Sequence, residues 1–292
     1  MKLVVFDLDG VLVDIDSSWE LIHRDFGTDN EENFKRYLRG EINYGEFMRT
    51  DIALWGKVNI KQVRRILDKV HIMKAAPKVV EELKKAGCKT AIISSGISIL
   101  ADRVRETLKI DHSYANKLLT DEKGWLTGEC EEIVNLHSKG TVLKRLAEEE
   151  GMSLKQCAAI GDSKFDISLF RMAGLSIAFN TRDKEAEKAA DLVIDDKDLE
   201  KAIPWLTSKN LKKVDSSLIY SSVRVARAVA SSISPDNLRT PSGLYVRTWN
   251  EGKTVKIKIV CTRRVETMLG TLDDLFACTQ VAERAIKAIQ TE

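Results

Sequence analysis

Two carboxylates spaced by one residue close an apolar run near the start of the chain, Val4-Val5-Phe6-Asp7-Leu8-Asp9-Gly10-Val11. In open α/β sheets ligands bind beyond the carboxyl ends of the strands, which is where these acids emerge. The plain alternative is an acidic loop that merely ends a strand. A second run, Ile92-Ile93-Ser94-Ser95-Gly96, ends in small polar residues. Hydroxyls and free backbone amides at such a turn can donate to phosphate oxygens, although a serine N-cap explains the same pattern. Lys139 opens a helix, where its ammonium could balance phosphate charge or stand in solvent. The fourth piece, Ala158-Ala159-Ile160-Gly161-Asp162-Ser163-Lys164-Phe165-Asp166, is a strand ending in Gly-Asp with a second acid four residues later. Magnesium takes oxygen ligands in an octahedron, so carboxylates from two strand ends suit it. Asp166 reads as a supporting acid or an exposed helical one.

These residues need a scaffold, and residues 1–206 alternate short apolar strands with longer amphipathic segments. That order predicts a doubly wound α/β fold with a parallel sheet. Strands are expected at Lys2 to Phe6, Cys88 to Ile93, Cys157 to Ile160, Leu175 to Phe179 and Asp191 to Ile194. Helices run from Pro77 to Gly87, from Lys139 to Glu150 and from Ser163 to Ala173, with glycine stops. Between the first two strands, about residues 14–74, Trp19, Ile22 and Phe26, then Phe34, Tyr37 and Leu38, then Val63, Ile66 and Leu67 recur at helical spacing, as in a small helical cap. A hairpin is expected within Asn116 to Val134.

Residues 207–215 are polar and read as a linker, and 216–292 as a small α+β unit. There a helix ends before Pro235, runs at Leu244 to Trp249 and Val255 to Cys261 flank a Glu251-Gly252 turn, and a last helix spans about Thr267 to Ile289. Val223, Ala226, Val229 and Ile233 form one apolar stripe; Leu272, Leu275, Val281, Ala285 and Ile289 form another, for a core or a dimer interface. No strand is evident before the first of these helices.

At 292 residues, 43% hydrophobic and 31% charged, the chain suits a globular protein of two domains. No apolar run approaches the roughly 20 residues of a membrane span, and the start leaves no room for a signal peptide, so a cytoplasmic location is expected. Cys88, Cys130, Cys157, Cys261 and Cys278 are scattered and odd in number, and are expected to be buried thiols. Residues 210–292 hold 13 Lys and Arg against 8 Asp and Glu, a charge of +5 that leaves −3 for the rest. Without interleaved aromatics, that excess does not argue for direct nucleic-acid binding.

Taken in order, the four motifs resemble those of the haloacid dehalogenase-like phosphohydrolases, over nearly all of residues 1–206. The resemblance implies a magnesium-dependent phosphatase. Asp7 would be nucleophile and metal ligand, and Asp9 the general acid and base with its carbonyl on the metal. Asp162 would be a further ligand, and Ser94, Ser95 and Lys139 would hold the phosphoryl group. Within that family the cap and the stretch from Ser113-Tyr114-Ala115-Asn116-Lys117-Leu118 to Lys139-Gly140 are most similar to phosphoserine phosphatases. The chain departs from them at Gly10-Val11, where Ser-Thr is usual, and at Ser163 and Phe165, where Gly and Asn are usual. In the cap, Asp16 falls near the usual substrate-binding acid, but Asp51 stands where the usual arginine aligns, with Arg49 two residues away. Losing a bidentate arginine weakens recognition of an α-carboxylate. Phosphoserine is thus one candidate beside other small phosphorylated metabolites, sugars or nucleotides.

Ser234-Pro235-Asp236-Asn237 and Gly270-Thr271-Leu272-Asp273-Asp274-Leu275, around a hairpin bearing Lys253, Lys256 and Lys258, are similar to the CTAG/Pcc family. That family includes the small dimerising subunit of the KEOPS complex, which modifies transfer RNA. The resemblance implies a homodimer or KEOPS-like protein partners more than RNA contact. Two functions remain open: a metabolic phosphatase dimerised by its tail, or an assembly subunit for transfer RNA modification. The intact acids Asp7, Asp9 and Asp162 favour a live enzyme.

Overall fold

The computed structural model describes residues 1–234, 237 and 240–290, with side chains described up to Ala288. It divides into two compact units, Met1–Leu206 and Thr207–Glu292.

The first unit is built on a seven-stranded sheet. Its strands are β1 (Leu3–Phe6), β2 (Lys89–Ile97), β3 (His112–Thr120), β4 (Leu126–Glu131), β5 (Cys157–Gly161), β6 (Leu175–Phe179) and β7 (Leu192–Ile194), in the order β4-β3-β2-β1-β5-β6-β7. All pairs are parallel except β3 with β4, which form the expected hairpin. A parallel strand covered on both faces must be apolar throughout, and every residue of β1, β5 and β6 is buried.

The helix Lys139–Glu149 buries Val142, Leu143, Leu146 and Ala147, one stripe at helical period, against the sheet core of Val5, Ile93 and Ala159. The segment from Ser163 is a 3-10 turn, Lys164–Asp166, followed by the short helix Ile167–Met172.

The cap comprises helices Ser18–Phe26, Glu31–Leu38, Tyr44–Leu54 and Ile60–Leu67. Their starts follow sequence signals: Ser17 caps the first, and Asn43 with Glu46 forms a reciprocal capping box on the third. Tyr44, Phe47 and Met48 form a small cluster, with Trp19, Phe34 and Tyr37 packed on it.

The second unit has three antiparallel strands, β8 (Lys212–Ile219), β9 (Leu244–Glu251) and β10 (Thr254–Cys261), in the order β8-β10-β9. Strand β8 takes up Lys212 to Asp215 of the linker expected over 207–215 and overturns the expected lack of a strand before the first helix. Only Val214 and Leu218 of β8 are apolar and packed on the core, so its alternation was masked by lysines and serines. Helix Val223–Ile233 buries Ala226, Val229 and Ile233, and helix Val265–Gln290 buries Leu275. Val223, Val281 and Ala285 of the expected stripes are exposed instead, the two valines at 42% and 66%. Pro235, Asp236 and the side chain of Ile289 lie outside the described residues. Cys88, Cys157 and Cys261 are buried, but Cys130 is only half-buried and Cys278 is exposed on the last helix, against expectation. No helix among the described residues is long and apolar enough to cross a membrane.

Candidate active site

Strand register brings the motifs to one rim. Phe6, the last residue of β1, pairs with Ile92 of β2 and with Ile160 of β5. Asp7 follows at once, Ser94 lies two residues past Ile92, and Asp162 lies two past Ile160. Three polar side chains therefore leave the sheet at one level. Lys139 joins them from the first turn of its helix. These four, with Asp9, Ser95 and Asp16, line a cavity of about 630 Å³ beneath the cap.

Lys139 is only 2% exposed, with its Nζ 2.8 Å from Asp7 Oδ2 and 2.7 Å from Asp166 Oδ1. An ammonium buried without acid partners would be costly, and two carboxylates compensate here. A lysine has three donors, so one remains for a further acceptor. Asp166 is fully buried, which sets aside the exposed alternative, and its Oδ2 accepts the N–H groups of Asp162 and Ser163 at 3.0 and 3.1 Å. It braces both the lysine and the loop that carries Asp162. Asp9 Oδ2 accepts the Ser18 N–H at 2.7 Å, tying the acid to the start of the cap, while its Oδ1 is buried with no hydrogen-bond partner. Gly10 adopts φ +75°, and a Cβ there would fall 2.4 Å from Asp162 Oδ2. Only glycine allows the loops of Asp9 and Asp162 to approach this closely.

The electrostatics follow from acids crowded out of water. Burial, with the charge of Asp166, pushes Asp7 up to about 7 against the pull of Lys139. Burial and then Asp7 push Asp162 up to about 8. Burial also raises Asp9, opposed by the Ser18 N–H. For Lys139 burial works downward, but Asp166 and Asp7 outweigh it and hold the ammonium charged. Carboxylate oxygens of Asp7, Asp162 and Asp166 lie within 4.8 Å of one another. Clustered acids with raised pKa values and an orphaned Asp9 oxygen are a donor set that fits a hard divalent cation.

The remaining expected residues are less well placed. Asp16 is exposed on the cavity lining. Arg49 does not line the cavity; its guanidinium faces Glu129 of the hairpin at 3.6 Å, so its expected substrate role is not supported. Asp51 is buried, accepting from Asn30 Nδ2 at 2.7 Å with His23 Nε2 at 3.3 Å. Trp19 and Phe34, expected as cap packing, and Phe165, expected as a departure, all line the cavity, together with Tyr44 and Phe47, which no sequence signal singled out. Only their aromatic type could have signalled this, because helical spacing cannot separate a cap core from a cavity wall.

The profile of the family described as "haloacid dehalogenase-like hydrolase" matches residues 1–174. The chain is 32% identical over 208 residues to the phosphoserine phosphatase of Methanocaldococcus jannaschii, covering 70% of this chain and 97% of that protein. It is 30% identical over 208 residues to the phosphoserine phosphatase of Wolinella succinogenes, covering 70% of this chain and all of the relative. Among solved structures it is similar to a phospho-aspartyl intermediate analogue of phosphoserine phosphatase, with a TM-score of 0.62 and 30% identity over 70% of this chain and 98% of that one. A substrate-bound phosphoserine phosphatase complex gives the same figures. Whole relatives are spanned by the unit whose strand ends carry the acids, and on that ground the chain belongs to the haloacid dehalogenase-like hydrolases and is a phosphatase of that family.

Proposed function

We propose that this chain hydrolyses a small phosphomonoester through an aspartyl-phosphate on Asp7, with magnesium held by the Asp7 and Asp162 carboxylates and the Asp9 carbonyl. The observation that carries the reading is the Lys139 bridge: it holds Asp7 Oδ2, while Asp7 Oδ1 accepts the Leu8 N–H at 2.7 Å, so both oxygens of the acid that lines the cavity are fixed. A bound magnesium would supply positive charge to the transferring phosphoryl group. Lys139, with its spare N–H, and the Ser94-Ser95 turn balance the equatorial oxygens. Asp7 attacks phosphorus as the bond to the leaving oxygen breaks, and Asp9 delivers its proton to that oxygen. Asp9 then takes a proton from water, which attacks phosphorus, and the bond to Asp7 breaks to release inorganic phosphate. Burial of Asp9 supports its holding a proton near neutral pH.

Phosphoserine is the first substrate to try, because the named relatives act under that name. Against it stands Asp51, buried where an arginine would meet the α-carboxylate. A panel of phosphorylated metabolites decides between them. Asp7→Asn should abolish magnesium-dependent phosphate release with an unchanged circular-dichroism spectrum; a fully active variant would remove Asp7 as nucleophile.

For the second unit we infer self-association or a KEOPS-like protein partner. What supports this is the exposure of Leu269 and Phe276, at 53% and 39%, on helix Val265–Gln290. Cytoplasmic location stays with the same reading.

A further inference from the structure

The carbonyl oxygen of Ser95 is met by three side-chain donors from three elements. Trp19 Nε1–H at 3.2 Å and the Tyr44 hydroxyl at 3.1 Å come from two cap helices, and Asn116 Nδ2–H at 2.9 Å comes from β3. Ser95 lies near the end of β2, where the register with β3 shifts between Ile93 and Ile97, and a carbonyl oxygen has two lone pairs, so three donors exceed what it needs. Asn116 is itself fixed: it also donates to the Val134 carbonyl at 3.0 Å and accepts the Ile133 and Val134 N–H groups at 2.8 and 2.9 Å. Burial raises the Tyr44 pKa, so its hydroxyl stays a donor.

In a trans peptide the C=O and the following N–H point in opposite directions. A Ser95 carbonyl held toward the cap therefore sends the Gly96 N–H the other way, where it donates to Ser94 Oγ at 3.0 Å. A hydroxyl oxygen that accepts from Gly96 keeps its own proton for another acceptor. Ser94 is 2% exposed and lines the cavity beside Asp7 and Lys139. The turn is also crowded, since a Cβ on Gly96 would lie 2.6 Å from Ser18 Oγ and 3.3 Å from Asp9 Oδ2.

We propose that Trp19 and Tyr44 are positioning residues for the phosphate end of the site: their hydrogen bonds to the Ser95 carbonyl orient the Ser95–Gly96 peptide, and through it the Ser94 hydroxyl. The donors sit on the cap and their acceptor on the sheet, so the phosphate turn is fully set only when the cap lies over it. Closure then does two things at once, excluding water and completing the anion site. This rests on the phosphatase reading above.

The test uses the full chain as wild type, Tyr44→Phe, Trp19→Phe and the double variant. Inorganic phosphate, which can occupy only the phosphate end, is titrated as an inhibitor of p-nitrophenyl phosphate hydrolysis in magnesium, and thermal midpoints are recorded. The inhibition constant for phosphate should rise about 3- to 5-fold in each single variant and about 10- to 25-fold in the double, as the additive loss of one and then two net hydrogen bonds implies. Midpoints should hold, and Tyr44→Phe, which loses one oxygen, reads the effect even where the double variant folds poorly. An unchanged phosphate constant with a raised KM would overturn the proposal, assigning both residues to the leaving group alone. A wild type that neither hydrolyses the ester nor binds phosphate would overturn the phosphatase reading as well.

Discussion

Lys139 and its two acids set the terms on which the site can exist without a cation. Asp7 and Asp162 titrate near 7 and 8 in the folded chain, against 3.8 for the free side chain. Between those limits the folded state binds more protons at these two acids than the unfolded state, so their contribution to stability is full below pH 4 or so and is lost as pH rises through 7 to 8. A magnesium ion held as proposed would bind the charged form and offset this loss. The metal-free protein should therefore melt lower at pH 8 than at pH 5, and added magnesium should raise the midpoint more at pH 8. Scanning fluorimetry at the two pH values reads both; an equal magnesium shift at each would detach these acids from the metal. Asp7, Asp9 and Asp162 were legible because each closes an apolar strand, and parallel strands end on one rim. The burial of Asp166 was not, because it depends on a loop folding back under Lys139. Arg49 misled because nearness in sequence to Asp51 does not choose a helix face; three residues of the same helix, Tyr44, Phe47 and Met48, take the inward side.

At the scale of elements, the position of Lys139 depends on how closely its helix approaches Ile167–Met172. Gly140 makes that approach: a Cβ there would fall 2.4 Å from the Ser168 carbonyl oxygen. Replacing glycine by alanine in an open helix stabilises by about 0.5 to 1 kcal/mol. Here the sign should reverse, with Gly140→Ala costing about 1 to 3 kcal/mol by overpacking and lowering kcat as Lys139 is displaced. Urea unfolding followed by tryptophan fluorescence measures it, and a stabilised variant would contradict the packing described. The helices themselves were readable from capping residues and period. Strand β8 was not, because a half-exposed edge strand with two inward apolar residues shows too little alternation beside its lysines and serines.

The two units differ in what supports them. The first spans nearly the full length of the two named relatives, and every residue of the cavity described above belongs to it. A domain with its own core is expected to fold alone. A chain ending after Leu206 should keep the kcat/KM of the full protein toward p-nitrophenyl phosphate, while its elution volume and captured partners change. Loss of activity on truncation would make the second unit part of the enzyme; unchanged mass and partners would remove its adaptor role. The composition announced two units and a basic second one, but charge alone does not identify what a surface meets.

Strand β1, which mounts Asp7, has three strands on either side, β2 to β4 and β5 to β7. Openings that let solvent deuterium into a sheet begin at edges and loops, and a central strand exchanges only when the whole sheet comes apart. Forms with a frayed β4 or β7 still present the aspartate in register. The chain thus mounts the carboxylate proposed as its nucleophile on the segment expected to yield last, so that its capacity to react would disappear together with the fold.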